Sequence, residues 1–248
     1  MKPDTDPPHI SVVIPCHNEE SGIGHVLSEV PHDRLKRYGY RAELIVVDNN
    51  STDATAAVAR AGGARVIAEK KQGKGNAVRT GLRAVHPQSQ FVVIIDGDDT
   101  YKLTELLRVV EPLEQDFCDI VVGSRLSGRM LDNSLCEHHR IANWAFTFLV
   151  RHFYKANITD VLSGYIGMKK QVADEITRYL NTHDFRIEME LITKSVRLGY
   201  ALTSVPITYD KRRGESKLQS YLDGVKILQT LISNLSWRPP LPAIPART

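Results

Sequence analysis

The chain has 248 residues, of which 42% are hydrophobic and 25% charged, and a formal net charge of +3. So even a balance excludes a strongly basic nucleic-acid binder, and the apolar content excludes a disordered chain, a collagen or a disulfide-stapled miniprotein. The charge is unevenly spread: residues 1–122 carry 14 Lys and Arg against 18 Asp and Glu, a balance of −4, and the rest stands at +7. An acidic half suits a divalent cation, and a basic half suits phosphate or an anionic surface.

In chain order, short β-branched runs alternate with helix-like stretches: a strand at 10–14, a helix from about 20, a strand at 43–47, a helix from about 53, a strand at 65–68, a helix from about 76 and a strand at 91–95. This alternation predicts an α/β fold, a mostly parallel sheet with helices on both faces. Three of the strands end abruptly in polar residues, at CHNEE, DNNSTD and DGDDTY, so three acidic strand ends converge on one crevice at the carboxyl edge. The second half is less regular. A short strand at 120–122 precedes a polar stretch with Arg125, Arg129 and Arg140, then an aromatic, amphipathic helix over 141–154. Helices near 172–180 and 188–198, a strand at 202–207, a basic stretch DKRRGESKL and a helix over 219–235 complete it.

A single domain over 10–236 is expected, with a nucleotide half (10–122) and an acceptor half (123–236), a short extension at 1–9 and a Pro-rich tail at 237–248. Cys16, Cys118 and Cys136 are odd in number and have no metal-ligand spacing, which suits a reduced, cytoplasmic setting. No signal-like segment opens the chain, and no run reaches the roughly 18 apolar residues of a membrane span.

The strongest single motif is VVIIDGD at 92–98. An apolar strand delivers Asp96 and Asp98 two residues apart, with Gly97 between them. Two carboxylates there repel each other and lose hydration unless a cation or a hydrogen-bonding ligand joins them, and Mg²⁺ or Mn²⁺ takes one or two carboxylates plus phosphate oxygens. The stretch KKQGKGNAVRTG lacks both GxxxxGK[ST] and the third glycine of GxGxxG, which argues against a P-loop or a dinucleotide oxidoreductase. Gly73, Lys74 and Gly75 read either as a plain turn or as a basic turn that meets an anion. Ser51, Thr52 and Asp53 read as a helix cap, whereas Asp48 ends an apolar strand and has no helix of its own to cap.

The motifs PCHNEE (15–20), VVDNNSTD (46–53), QGKGNAVRTG (72–81), IIDGDDTY (94–101), GSR (123–125) and RRGESKL (212–218), in this order, resemble the family 2 glycosyltransferases. RIAN (140–143), DVLSGYIGM with Ser163 and Gly164, and FRIEMEL with Phe185, Glu188 and Glu190 are similar to the dolichyl- or polyprenyl-phosphate mannosyltransferase branch. The resemblance implies a GT-A fold and a GDP- or UDP-linked sugar donor. It further implies Asp96 and Asp98 as the DxD-type metal pair with Mg²⁺ or Mn²⁺, and donor contacts from Pro15, His17, Glu19, Val46, Asp48, Lys74 and Gly97. Lys211, Arg213, Ser216 and Lys217 would close on the diphosphate, and Arg125 and Arg140 would hold the acceptor phosphate. The chain departs from the family at Asn49 and Asn50, where an acidic residue and a glycine are common, at His17 for tyrosine, at Thr100 for a glutamine ligand and at Lys211 for arginine.

A lipid monophosphate is already ionised at neutral pH, so such an acceptor needs no general base, and inversion follows from a single displacement. A soluble or polymeric hydroxyl acceptor would need one, for which Asp160, Glu188 or Glu190 are candidates. A catalytically silent binding homologue is disfavoured because the DxD and ESK residues are intact. Trp144, Phe146, Phe148, Phe153 and Tyr154, with Arg140, Arg151 and Lys155, form a candidate interfacial helix. The stripe Leu218, Leu222, Val225, Leu228, Ile232 and Leu235 is expected to pack into the core. The expected partners are a nucleotide sugar, a polyprenyl or dolichyl phosphate, and a membrane surface or membrane-anchored partner at the cytoplasmic face.

Overall fold

A computed structural model describes residues 9–131, 136–213 and 220–239. The apolar runs become strands β1 (Ile10–Cys16), β2 (Ala42–Asp48), β3 (Arg65–Ala68) and β4 (Phe91–Ile94). Alternate side chains leave opposite faces: Val13, Ile45, Val47 and Ile94 enter one buried cluster, Val12, Ile14, Val46 and Val93 the other. A strand buried on both sides must be apolar at every position, which is why these segments read as continuous hydrophobic runs. Helices α1 (Glu20–Ser28), α2 (His32–Arg37), α3 (Thr55–Ala61) and α4 (Lys74–Arg83) connect them. Helix α5 (Leu106–Glu114) joins Ile23 and Val26 of α1 over one face, while Ala77 and Val78 of α4 cover the other.

In the second half, β5 (Ile120–Met130), α6 (Glu137–Tyr154), β6 (Ile166–Lys169), α7 (Lys170–Ile176), α8 (Ile187–Arg197), β7 (Leu202–Tyr209) and α9 (Ser220–Ser236) follow. The seven strands form one sheet in the order β3-β2-β1-β4-β6-β5-β7. Strand β6 is antiparallel to β4 and β5, and the other pairings are parallel. The sheet is therefore mostly parallel with helices on both faces, as expected. From β1 the chain winds outward to β2 and β3 and then returns to β4 on the other side of β1. That reversal opens a crevice at the carboxyl edge between β1 and β4.

Three features differ from the sequence reading. Strand β6 was not anticipated, because IGMK is four residues without alternation. Strand β5 continues well past residue 122, pairing with β7 through a register shift between Ser124 and Arg129. Helix α9 exposes Leu222, Val225, Leu228 and Ile232 and buries Ile227 and Leu231 instead. Asn234 of α9 donates to Thr193 of α8 at 2.9 Å, which turns the leucine stripe outward. Leu235 is half-buried, and Leu218 lies outside the described residues. No helix among the described residues is long and apolar enough to cross a membrane.

Candidate active site

The crevice holds a cavity of about 280 Å³ lined by Pro15 at the end of β1, His17 and Glu19 beyond it, Asn49 beyond β2, Gln72 to Lys74 entering α4, Asp96 to Asp98 beyond β4, Phe185 and Arg212. Asp98 is 2% exposed. Its Oδ1 accepts from Thr100 N (3.1 Å) and Thr100 Oγ1 (2.6 Å), and its Oδ2 accepts from Arg212 Nε (2.6 Å) and pairs with Arg212 Nη2. Burial pushes this carboxyl up, but Arg212 and the Thr100 hydrogen bonds outweigh it and hold it below the usual aspartate range.

The Lys74 ammonium lies 2.6 Å from Asp96 Oδ1 and 2.6 Å from Glu188 Oε1. Burial opposes the charge on Lys74, yet the two carboxylates raise its pKa above the ordinary lysine value. Burial lifts the Glu188 carboxyl above its usual range, and Lys74 offsets this only in part. Gly73, at φ 131°, and Gly75 do not form a phosphate loop. A Cβ on Gly73 would sit 2.1 Å from His183 O and one on Gly75 2.4 Å from Thr182 O, so both glycines admit the backbone of a neighbouring segment.

A second cavity of about 300 Å³ shares Lys74, Asp96, Asp98, Phe185 and Arg212 with the first. Its far wall is His139, Asn143 and Phe146 of α6 and Asp223 and Ile227 of α9, with Arg125, Glu188 and Tyr209 between. Two compartments thus meet at one shared wall of two acids and two bases. Arg125 belongs to this cavity, but Nε and Nη2 donate to Asp160 Oδ2 and Oδ1 at 2.8 Å each, and Nη2 donates to Leu162 O at 2.9 Å. Asp160 is fully buried and also accepts from Asn143 Nδ2 at 2.6 Å. Glu190 is likewise committed, accepting from Lys194 Nζ (2.6 Å), Thr182 N (2.8 Å) and Asn181 N. Of the three candidate bases, Glu188 alone lines one of these two cavities.

Val46 is wholly buried in the core. Asp48 Oδ1 accepts from Ser51 N at 3.1 Å and lines neither cavity. Ser51 and Asp53 tie the turn after β2 to the one after β1, accepting from Asn18 N and Glu20 N, and Asp53 also accepts from Thr55 N in front of α3. Arg140 is exposed on α6 outside both cavities. Lys211 is exposed, and Arg213 reaches Asp99 rather than Asp98, at 2.7 Å. Ser216 and Lys217 lie outside the described residues. Sequence reasoning missed Arg212, one of three consecutive cations with no periodicity to say which turns inward. It also read Asn49 only as a departure, whereas Asn49 accepts from Gly73 N and donates to Glu69 O and Lys71 O, holding the loop that delivers Lys74.

Residues 11–177 match the glycosyl transferase family 2 model. The chain belongs to glycosyl transferase family 2. It is 33% identical to the Haloferax volcanii dolichyl-phosphate hexose transferase over 90% of this chain and 92% of that protein. It is 29% identical to glycosyltransferase AglJ of the same organism over 95% of this chain and 75% of that one. Glucosyl-3-phosphoglycerate synthase of Mycobacterium tuberculosis, solved with Mn²⁺, UDP and phosphoglyceric acid, superposes with a TM-score of 0.71 at 25% identity, covering 94% of this chain and 80% of that one. The fold of this glycosyltransferase is accordingly GT-A.

The donor set of the glycosyltransferase fits a hard divalent cation. Two carboxylates end β4, and each already has a positive side chain beside it, Lys74 on Asp96 and Arg212 on Asp98. No group of three or more acidic, His or Cys side chains that could hold a metal exists among the described residues. Two carboxylates suit Mg²⁺, which is usually held by one or two carboxylates together with waters and substrate phosphate oxygens.

Proposed function

We propose that this glycosyltransferase moves a hexosyl group, with inversion, from a GDP- or UDP-linked donor to a polyprenyl phosphate at a membrane surface. The observation that carries the reading is the second cavity, which shares Asp96, Asp98 and Arg212 with the first and is closed on its far side by α6 and α9. Those two helices hold eight of the ten large hydrophobic side chains exposed among the described residues: Ile141, Trp144, Phe148 and Phe153 on α6, and the four outward residues of α9. An acceptor cavity walled by helices with greasy outer faces suits an acceptor whose phosphate is polar and whose tail is not. The likeness to a protein named dolichyl-phosphate hexose transferase supports the same acceptor.

In this reading the first cavity takes the nucleotide, with Pro15, His17 and Glu19 along it. Asp96 and Asp98 would hold Mg²⁺ or Mn²⁺, which supplies charge stabilisation for the departing diphosphate when bound. Lys74 and Arg212, which pair with Asp96 and Asp98 here, bring positive charge to the same place. The acceptor phosphate is its own nucleophile, so the commitment of Asp160 and Glu190 to structural contacts costs the reaction nothing. Arg125 lines the acceptor cavity with its guanidinium fixed and its charge balanced by Asp160, so it is not a mobile clamp. Incubation with radiolabelled GDP- and UDP-hexoses, Mn²⁺ and a short-chain polyprenyl phosphate tests the proposal. Label extracted into organic solvent supports it, and label confined to the aqueous phase for every donor contradicts it.

A further inference from the structure

The two oxygens of Asp98 are held by different kinds of partner. Oδ1 is held by Thr100, two residues on, through its backbone N–H and hydroxyl. Oδ2 is held by two nitrogens of Arg212, which is 114 residues away on the segment after β7. The Thr100 contacts are neutral and local, and the turn itself imposes them. The Arg212 contact is ionic and comes from a segment distant in sequence, and it covers one of the two oxygens a metal could use. Asp96 repeats the arrangement, with Lys74 on Oδ1 shared with Glu188. Without these cations, three carboxylates would face one another in a cavity where Asp98 is nearly inaccessible to water, an arrangement that burial makes costly.

We propose that Arg212 and Lys74 are exchangeable counter-ions that occupy the metal carboxylates in the free enzyme and transfer to the donor's diphosphate when metal and nucleotide load together. The inference rests on the nucleotide-sugar reading of the first cavity. A divalent ion arriving alone meets a guanidinium already seated on Asp98 Oδ2, and displacing it leaves two like charges competing for one carboxylate. A diphosphate removes the conflict, because its oxygens take the guanidinium fork in charge-assisted hydrogen bonds and give the metal further ligands. Metal alone therefore binds weakly, and the coupling is reciprocal, so that nucleotide tightens metal as much as metal tightens nucleotide. Arg212 thus has two duties, balancing the charge of Asp98 in the free site and holding the leaving group.

The test is Mn²⁺ binding, read by the electron paramagnetic resonance of free Mn²⁺ with no acceptor and no turnover. It compares wild type, Arg212→Gln and Arg213→Gln, each with and without UDP or GDP. The exchange predicts that Arg212→Gln binds Mn²⁺ alone more tightly than wild type, by roughly 5- to 100-fold, while its gain from added nucleotide shrinks. Arg213→Gln, whose parent side chain pairs with Asp99, leaves the affinity for Mn²⁺ alone unchanged. A purely structural role for Arg212 would weaken both binding states, so an unchanged or weaker affinity for Mn²⁺ alone in Arg212→Gln overturns the proposal. If that variant does not fold, Arg212→Lys carries the test: its affinity for Mn²⁺ alone rises by a smaller factor, and no rise overturns the exchange. Failure of both nucleotides to bind wild type with Mn²⁺ would overturn the donor reading itself, whereas normal ternary binding with no tightening in the variants overturns the exchange alone.

Discussion

Arg125 and Asp160 form a two-pronged ion pair, Nε to Oδ2 and Nη2 to Oδ1 at 2.8 Å each, and the backbone N–H of Arg125 adds a third bond to Oδ2 at 2.9 Å. Both side chains are buried. Removing one partner leaves an uncompensated buried charge, so Asp160→Asn is expected to cost about 3–5 kcal/mol of folding stability, read as a lower urea midpoint. A variant as stable as wild type would show that the pair is not a structural tie.

Gly164 faces Asp96 so closely that a Cβ there would sit 2.3 Å from Oδ2. Asp96 cannot simply swing away, because its other oxygen is held by Lys74. Gly164→Ala is expected to displace the carboxylate and lower kcat/KM for the donor by about 10- to 100-fold, since misplacements near 1 Å carry such penalties. Circular dichroism and melting temperature should change little. Unaltered kinetics would show that the position of Asp96 is not critical.

Glu190 illustrates a pH dependence. Burial raises its carboxyl, but Lys194 and Thr182 outweigh this and bring the pKa below the ordinary value of 4.5. A depressed folded-state pKa gives stability that is complete above the unfolded value and is lost as pH falls through the folded one. Glu190→Gln should therefore be less stable than wild type at pH 7, by about 3 kcal/mol, and the gap should narrow below about pH 4.5. Urea melts at pH 7, 5 and 3 read the gap directly, and a constant gap would contradict the assignment.

On α6, Trp144 and Phe148 are stacked with ring centroids 6.0 Å apart and are 64% and 56% exposed. Beside them lie Arg151, His152 and Lys155, around a surface groove. Replacing both aromatics with serine is expected to weaken sedimentation with phosphatidylglycerol vesicles at low salt by about tenfold, with turnover of a short-chain acceptor in detergent preserved. Equal sedimentation of the two proteins would remove α6 from the membrane surface.

The parts of the fold that could be read in advance were those with a local signature. The strand over 91–95 is uniformly apolar because both sheet faces cover it, and the acids that follow it could only lie at its carboxyl end. What could not be read depended on partners distant in sequence. Arg125 is committed by Asp160, 35 residues away, and nothing near GSR announces it. The side chain of Arg212, rather than that of Lys211 or Arg213, meets the Asp98 carboxylate because of how the segment after β7 lies across the β4 turn, with Arg213 N donating to the backbone Asp98 O. The apolar stripe of α9 has the same spacing whether it faces a core or the exterior, and only the packing of Ile227, Leu231 and Asn234 decides between them.

A single comparison tests a polyprenyl phosphate as the acceptor. Wild-type enzyme with Mn²⁺ and labelled GDP- and UDP-hexoses is offered a polyprenyl phosphate, the corresponding polyprenol and 3-phosphoglycerate in parallel, and product is measured in the organic and aqueous phases. Organic-phase label is expected with the lipid phosphate alone, since only that acceptor carries both an ionised nucleophile and an apolar tail. Equal labelling of the polyprenol, or transfer to 3-phosphoglycerate in preference to the lipid, would contradict it.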